Sequence, residues 1–248
     1  MNFENILFVG DIHGKFGAFR RCFEEKNPSC IIQVGDFGYW DYYSDSYCSG
    51  VRSFNTNNIP IYWIDGNHEN FHMINELKLT APAPLIPIST PKFHNYFYVP
   101  RCTTLNINGY NILFIGGAAS IDYKYRKDGV DWFSHYETIS AADMYNLPDI
   151  DIDIVVSHTC PLEWKLDLLK AVRGSYSFKD PSEDALSHVL NKYHPKLWVH
   201  GHWHEYVTGF YPKTNTKWIC FKDYIPNVEF KARPWNMFLH EIIDNTKG

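Results

Sequence analysis

The sequence predicts a mixed α/β fold with more than one sheet. Strand and helix patterns alternate in the first part of the chain, and paired strand patterns follow later. Six short apolar runs end in polar residues, most of them beside a glycine, which is typical of strands covered on both faces. These runs lie in residues 5–14, 30–38, 60–70, 111–120, 153–161 and 197–205.

Two segments carry clear helical patterns. Residues 15–26 place three phenylalanines on one stripe, as the core face of an amphipathic helix requires. Residues 182–193 follow Asp180 and Pro181, where Asp180 can cap a helix and Pro181 suits its first position. Glu183 would complete a capping box with Asp180. We therefore expect helices over both segments.

Weaker patterns predict four further elements. Residues 137–147 and 162–172 are helix candidates. Residues 101–117 read as a hairpin that turns at an Asn-Gly pair, and residues 205–221 read as a second hairpin. The chain shows no repeat, low-complexity tract or linker, so we expect residues 1–248 to form a single domain.

Composition indicates an ordinary globular protein. Hydrophobic residues make up 45% and charged residues 21% of the 248 residues, and the formal net charge is -5. This acidic balance disfavours a protein with an extended nucleic-acid surface. The six cysteines form no C-x-x-C pair, and neither a signal peptide nor a membrane-length apolar stretch is visible. We expect a cytoplasmic protein with reduced cysteines and no membrane partner.

Polar residues that can bind metal follow the apolar runs. The C-terminal ends of strands are where open α/β sheets hold ligands, so these side chains are expected to meet. Carboxylates with imidazoles suit Mn, Fe or Zn better than Ca. A lone strand-end histidine is more often structural, but an ordered set is not explained by packing. The candidates are Asp11, His13, Asp36, Asn67, His68, His158, His202 and His204.

The order of these motifs resembles the calcineurin-like metallophosphoesterase superfamily. The matching stretches are Gly-Asp-Ile-His-Gly (10–14), Gly-Asp (35–36), Gly-Asn-His-Glu (66–69), Ser-His (157–158) and Gly-His-Trp-His (201–204). The resemblance therefore spans most of the chain. It implies a four-layer α-β-β-α sandwich of two mixed sheets, with a dinuclear metal site at the C-terminal ends of the strands.

The resemblance also implies a role for each motif residue. Two divalent ions (Mn, Fe or Zn) would lie about 3.5–4 Å apart, the spacing at which paired ions cleave phosphate esters. Asp36 would bridge them. One ion would be held by Asp11, His13 and His204, and the other by Asn67, His158 and His202. His200 has no family role, and we predict that it is a packed or supporting residue.

His68 resembles the family histidine that gives a proton to the leaving alkoxide or stabilises its charge. The alternative for His68 is a support beside the ligand Asn67. Serine/threonine protein phosphatases of the superfamily carry Gly-Asp-x-x-Asp-Arg-Gly at the second motif, whereas residues 35–41 here contain no arginine. Protein phosphatase activity is therefore disfavoured.

A replacement for that arginine is sought in residues 116–133, which follow another strand end. Arg126 is the candidate to bind the substrate phosphate, with Lys124 and Lys127 nearby. The alternative is an exposed charged loop. In residues 37–47, four aromatic side chains either stack on a nucleotide base or cover the site as hydrophobic packing. They are Tyr39, Trp40, Tyr42 and Tyr43.

These observations predict a dinuclear-metal phosphoesterase, with a phosphodiesterase on a small or nucleotide-like substrate preferred. The alternatives are a phosphomonoesterase, including a protein phosphatase, or a metal-dependent nuclease. A metal-binding scaffold is the least favoured, because every ligand and His68 are retained. Residues 222–248 carry no motif, and we expect them to cover an edge strand or the site.

Overall fold

The computed structural model of the protein describes residues 1–40, 58–91, 93–172, 179–225 and 235–244. These residues form two six-stranded sheets. The strands are β1 Ile6–Val9, β2 Cys30–Gln33, β3 Ile61–Trp63, β4 Ile88–Thr90, β5 Phe93–Tyr98, β6 Thr103–Ile107, β7 Tyr110–Ile115, β8 Ile154–Ser157, β9 Leu197–His200, β10 Val207–Tyr211, β11 Thr216–Cys220 and β12 Asn236–Phe238.

The two sheets have the same plan. The first has the strand order β12-β1-β2-β3-β5-β4 and the second the order β10-β11-β9-β8-β7-β6. In each, four central strands run parallel and an antiparallel strand closes either edge. The C-terminal ends of the parallel strands therefore meet at one edge of each sheet.

Helices cover the outer faces of both sheets, whereas the C-terminal helix packs Leu239 and Ile242 into the layer between the sheets. The helices are α1 Gly17–Lys26, α2 Phe71–Leu79, α3 Ala141–Tyr145, α4 Leu162–Val172, α5 Pro181–Tyr193 and α6 Leu239–Asp244, with a 3-10 helix at Tyr123–Tyr125. In the part of the chain that the structure describes, no helix combines the length and apolar character needed to span a membrane.

Three apolar layers hold the sheets and helices together. Leu7 of β1 belongs to a layer with Phe19 of α1, on the outer face of the first sheet. Its neighbour Phe8 faces the other way, into a layer between the two sheets. Trp198 of the second sheet packs in a third layer with Leu186 of α5. The predicted four-layer α-β-β-α sandwich of two mixed sheets is confirmed.

Most predicted elements form, with three corrections. The predicted 137–147 helix shortens to α3, because Ser140 and Asp143 make a capping box that starts it at Ala141. The capping box predicted for Asp180 and Glu183 forms only in part: the Asp180 side chain accepts from the Ser182 N–H and not from that of Glu183, and the Glu183 carboxylate also pairs with Lys165. Helix α2 was not predicted, although Asn70 caps it with two hydrogen bonds.

The C-terminal segment covers an edge strand, as one of the two expectations for it proposed. Strand β12 pairs antiparallel with β1, with Leu7 opposite Phe238. Upstream of it, the N–H of Tyr224 donates to the Asp11 carbonyl over 2.8 Å. The ammonium of Lys222 donates to the carbonyl of His204 over 2.9 Å. The segment therefore both closes the first sheet and contacts the strand-end residues.

Candidate metal centre and substrate cleft

Seven of the predicted residues surround one point between the two sheets. Asp11, Asp36 and Asn67 follow β1, β2 and β3, and His158 and His202 follow β8 and β9. The topology thus brings together residues as distant in the chain as Asp11 and His204. We name Asp11, His13 and His204 the outer group, and Asn67, His158 and His202 the inner group. Asp36 lies between the two groups.

Asp36 faces both groups with different oxygens. Its Oδ1 accepts the backbone N–H of His68 over 2.9 Å and lies 3.3 Å from Nε2 of His158. Its Oδ2 lies 3.7 Å from Nδ1 of His13 and, buried, has no hydrogen-bond partner. A carboxylate held in this way can present one oxygen to an ion on either side.

The outer group is compact and reaches the surface. Nε2 of His13 and Nε2 of His204 lie 3.1 Å apart, and the latter is 3.4 Å from Oδ2 of Asp11. That oxygen also accepts the N–H of His202 over 2.9 Å. One atom from each outer residue and one from Asp36 lie within 4.8 Å of one another, an arrangement that can hold a metal ion.

The inner group is more enclosed. Nδ1 of His158 lies 3.0 Å from the Val34 carbonyl, so it carries the hydrogen that is donated there. Nε2 then presents a lone pair, yet it lies 3.2 Å from Oδ1 of Asn67. The ring of His202 is 5.0 Å from that of His158. His158 and Asn67 are buried, whereas His202 is partly buried.

The donor set fits two divalent cations. In the inner group the lone pair on Nε2 of His158 faces Oδ1 of Asn67, and a cation or an extra proton reconciles that contact. Oδ1 of Asp11 and Oδ2 of Asp36 are buried without a hydrogen-bond partner, which costs free energy unless a cation approaches them. Carboxylate, amide and imidazole ligands are those that Mn, Fe and Zn accept.

The backbone at these strand ends adopts unusual conformations. Asp36, His13, His202 and His204 all have positive φ, at 51°, 46°, 69° and 54°. Such residues cost about 1–3 kcal/mol each and concentrate at functional sites, because the turn re-aims the side chain. Gly66 is needed for a different reason: a Cβ there would overlap Oδ1 of Asp36 and lie 2.7 Å from Nε2 of His158.

The buried charges shift one another's protonation. Burial would raise the pKa of Asp36, but the imidazoles of His158, His68 and His13 hold it well below its usual range. Burial would likewise lower the pKa of His158, yet Asp36 raises it to about 10. For His202 burial prevails, and its pKa falls well below the ordinary value. A carboxylate at the centre is thus favoured as the anion that cations require.

Glu69 fixes the loop that follows Asp36. Its Oε1 accepts the N–H of Phe37 over 2.6 Å, and its Oε2 accepts those of Gly38 and Tyr39 over 3.0 and 2.7 Å. Glu69 is fully buried, so these three bonds supply the donors that an enclosed carboxylate needs. The last residue of the Gly-Asn-His-Glu motif therefore ties the third strand end to the second.

His68 and Arg126 meet at the rim of the centre. Nη2 of Arg126 lies 2.8 Å from both ring nitrogens of His68 and pairs with Asp122 over 2.8 Å. Burial has the largest effect on the pKa of His68 and lowers it. Asp36 raises this pKa, and the charge of Arg126 lowers it further. The Arg126 side chain is only 10% exposed, whereas its neighbours Lys124 and Lys127 are exposed. Arg126 does not itself line the cleft, but its partners His68 and Asp122 do.

The other candidates from the sequence do not reach the cleft. Lys124 and Lys127 are exposed and do not line it. Tyr39 and Trp40 pack against the core, and the Trp40 indole donates to the His68 carbonyl over 2.9 Å. Packing, rather than base stacking, therefore describes these two aromatic residues. Tyr42 and Tyr43 lie outside the described residues.

His200 is a core residue, as predicted. It is fully buried and its Nε2 accepts the indole N–H of Trp164 over 3.3 Å. Burial lowers the pKa of His200 to about 3, so the ring stays neutral. Of the three histidines in residues 200–204, His202 and His204 face the centre and His200 packs behind it.

A cleft of about 450 Å³ opens from the centre. Besides the centre itself, its walls contain side chains that the sequence did not indicate as site residues. Ile121 and Trp203 add apolar side chains to the lining, and Lys165 and Glu183 add an ion pair whose N–O distance is 2.6 Å. The carboxylates of Asp122 and Asp180 also line the cleft. Trp203 lies inside the Gly-His-Trp-His motif, but the motif did not indicate it as a cleft residue. The others come from loops and helices without a site motif.

Comparisons with known proteins give a family match and similar folds. The family model for calcineurin-like phosphoesterases matches residues 4–206. No curated protein matches the sequence. Phosphopantetheinyl hydrolase from Mycobacterium tuberculosis has a similar structure, with a TM-score of 0.52 at 14% identity over 95% of each chain.

Two further solved structures are similar in outline. The protein TT1561 of Thermus thermophilus has a TM-score of 0.49 at 12% identity, over 89% of this chain and 90% of its own. A dimetal phosphatase from Danio rerio has a TM-score of 0.43 at 11% identity, over 88% of this chain and 87% of its own. These similarities concern the fold alone.

The family match covers most of the chain and includes every strand end that contributes to the centre. Proteins of this family typically bind two divalent metal ions, and the cluster around Asp36 can bind metal. The chain therefore belongs to the calcineurin-like phosphoesterase family.

Proposed function

We propose that the protein is a dinuclear-metal phosphoesterase that cleaves phosphodiesters of small or nucleotide-like compounds. The outer group would hold one ion, the inner group the second, and Asp36 would bridge them. The position of Asp36 is the observation that carries this proposal. Its two oxygens face His158 and His13 at 3.3 and 3.7 Å, one on either side.

The chain's own residues would hold and orient the substrate. When bound, two divalent cations supply a nucleophilic water at neutral pH and offset charge on the phosphate oxygens. Arg126 would bind a non-bridging phosphate oxygen after leaving its contact with His68. His68 would then donate a proton to the leaving oxygen, or stabilise its charge. Proton donation requires the imidazolium form of His68. Its depressed pKa favours the neutral ring, whose N–H can stabilise the charge on the leaving oxygen by a hydrogen bond.

The shape of the cleft supports a diester over a monoester. A monoester needs room for one organic group, whereas a diester carries a second one. Besides the centre, the cleft of about 450 Å³ is lined by Ile121, Trp203 and the Lys165–Glu183 pair, which supports room for a second group. Arg126 beside His68 favours the alternative of a phosphomonoesterase, because a guanidinium fork also suits a terminal phosphate.

We also propose that residues 1–248 form one domain in a reducing compartment such as the cytoplasm. The pairing of β12 with β1 joins the C-terminal part of the chain to its beginning, which supports one domain. Cys22, Cys30, Cys102, Cys160 and Cys220, the cysteines within the described residues, are free and buried, which supports a reducing compartment.

The test is hydrolysis of a chromogenic phosphodiester and its matching monoester in the presence of Mn²⁺, with the Asp36→Asn protein as the blank. Faster cleavage of the diester is expected. Faster cleavage of the monoester would replace the diesterase proposal with a phosphatase. Turnover no higher than the blank on both compounds would contradict the phosphoesterase proposal for these substrate classes. Salt-dependent binding to single-stranded DNA would instead favour a nuclease.

A further inference from the structure

Asn67 is the proposed ligand whose side chain has two chemically different ends. Its Nδ2 donates to Oγ of Ser120 over 3.1 Å, while its Oδ1 lies 3.2 Å from Nε2 of His158. Only the oxygen can bind a cation. The two ends have nearly the same shape, so an amide rotated by half a turn would present N–H groups to the ion instead. Something must therefore set its orientation.

Ser120 sets this orientation because its own hydrogen is already used. Its hydroxyl donates to Oε2 of Glu137 over 2.7 Å, and its backbone N–H donates to Oε1 over 2.9 Å. An ionised carboxylate only accepts, so the hydroxyl hydrogen must point at Glu137. Ser120 can then only accept from Asn67. Both Ser120 and Glu137 are buried, so water does not compete for these bonds.

Glu137 is itself fixed in place. The indole N–H of Trp132 donates to its Oε1 over 2.9 Å. The Glu137 carbonyl accepts from Nη2 of Arg101 over 3.1 Å, and Nε of Arg101 donates to Asp65 over 2.9 Å. Asp65 stands two residues before Asn67. The hydrogen bonds therefore close a ring that returns to the strand end where the amide is attached.

We propose that Glu137 and Ser120 are positioning residues for the inner group. The carboxylate orients the hydroxyl, the hydroxyl orients the Asn67 amide, and the amide oxygen is turned toward the ion. This inference rests on the proposed function, because it takes Asn67 as a ligand. Neither residue touches the substrate or an ion.

The sharpest test reverses the direction of the hydrogen bonds that run from residue 137 through Ser120 to Asn67; we call this chain of hydrogen bonds the relay. In Glu137→Gln, the amide oxygen can keep the N–H groups of Ser120 and Trp132, which places its NH₂ against Oγ of Ser120. The hydroxyl must then donate toward residue 67 and favour the rotated amide. We expect Mn²⁺ affinity at one of the two sites to fall about 10- to 100-fold, as for partners of metal ligands, with the other site unchanged.

Asn67→Asp supplies the rescue, because both ends of an aspartate are oxygens. In that background Glu137→Gln should not lower Mn²⁺ affinity, because one carboxylate oxygen still faces the ion and the other accepts the hydrogen that Ser120 now donates toward it. Trp132→Phe is the matched control. It removes one donor to Glu137 and leaves the relay intact, so both Mn²⁺ affinities should stay as in the wild type.

The measurement is calorimetric titration of Mn²⁺ into chelator-treated protein, with circular dichroism to show that each variant is folded. Equal losses with and without the Asn67→Asp change, or no loss in folded Glu137→Gln, would overturn the positioning role. If Glu137→Gln does not fold, Ser120→Ala takes its place with the same dependence on residue 67. A wild-type protein that binds fewer than two Mn²⁺ would contradict the proposed function itself.

Discussion

The outer and inner groups offer similar ligands to a metal ion but are built differently. His204 and His13 of the outer group have side chains that are 46% and 20% exposed. In the inner group, the His158 side chain is fully buried and Asn67 is 4% exposed. Left-handed backbone turns direct His13 and His204 of the outer group and also His202 of the inner group, whereas His158 and Asn67 are oriented by hydrogen bonds to Val34 and Ser120.

This difference shows two ways in which a fold can prepare a ligand. A strained turn directs a side chain that solvent can still reach, and it needs no partner beyond the backbone. A buried ligand needs a partner for each remaining polar atom, because an unpaired one is costly. The outer group is therefore expected to exchange its ion readily, and the inner group to hold its ion within a rigid frame.

Asp36→Asn should have the largest effect, because it removes the charge that both groups share. Loss of a supporting partner already costs about 10- to 100-fold in metal affinity, so loss of the bridge should cost more than about a hundredfold in activity and release both ions. Metal analysis of the purified variant, with its rate of hydrolysis, measures this. Retention of two ions with full turnover would refute the bridge.

His68→Ala should separate chemistry from metal binding in both groups. The variant should keep two ions but lose about a hundredfold or more in rate on esters with poor leaving groups. Esters whose leaving groups need no proton should lose much less. The comparison requires a series of aryl esters of graded leaving-group pKa. Equal slowing across that series would exclude the role as an acid.

His158→Ala and His204→Ala should separate the two groups in stability. Removal of His158 leaves the buried Val34 carbonyl without its donor, at a cost of about 1–3 kcal/mol in the free energy of unfolding. Removal of the half-exposed His204 should change the free energy of unfolding by less than about 0.5 kcal/mol. Urea denaturation of chelator-treated proteins provides the two values. Similar losses in the free energy of unfolding would contradict the proposed difference in burial and support between the two groups.

Arg126→Ala should have the smallest effect of these substitutions. It should raise KM and leave the metal ions of both groups in place. Loss of a charged hydrogen bond to phosphate is worth about 1.5–3 kcal/mol, so KM should rise about tenfold or more. Arg126→Lys is the matched variant, since it keeps the charge and loses the planar fork. Metal content should stay at the wild-type value in both. An unchanged KM in the alanine variant would remove Arg126 from the substrate site.

Local patterns in the sequence were enough for the fold class and for most elements. Strand ends are marked by apolar runs that stop at glycine and polar residues, and the start of helix α5 is marked by Asp180 and Pro181. Helix α2 was missed, although Asn70 caps it. The capping box at Asp180 is incomplete because the Asp180 side chain accepts the N–H of Ser182, and nothing in the sequence indicated the tertiary partner Lys165 that also pairs with Glu183.

The sequence by itself determined the composition of the candidate centre and its family. Residues Asp11 to His204 follow their strands in an order that packing does not require, so the order could be read without coordinates. Only the tertiary structure decided which side chains support them. Ser120, Glu137 and Arg101 come from separate segments and carry no motif, and hydrogen bonds between them form only once the sheets pack. The identity of a ligand is a local property of the sequence, whereas its orientation depends on contacts between distant parts of the chain.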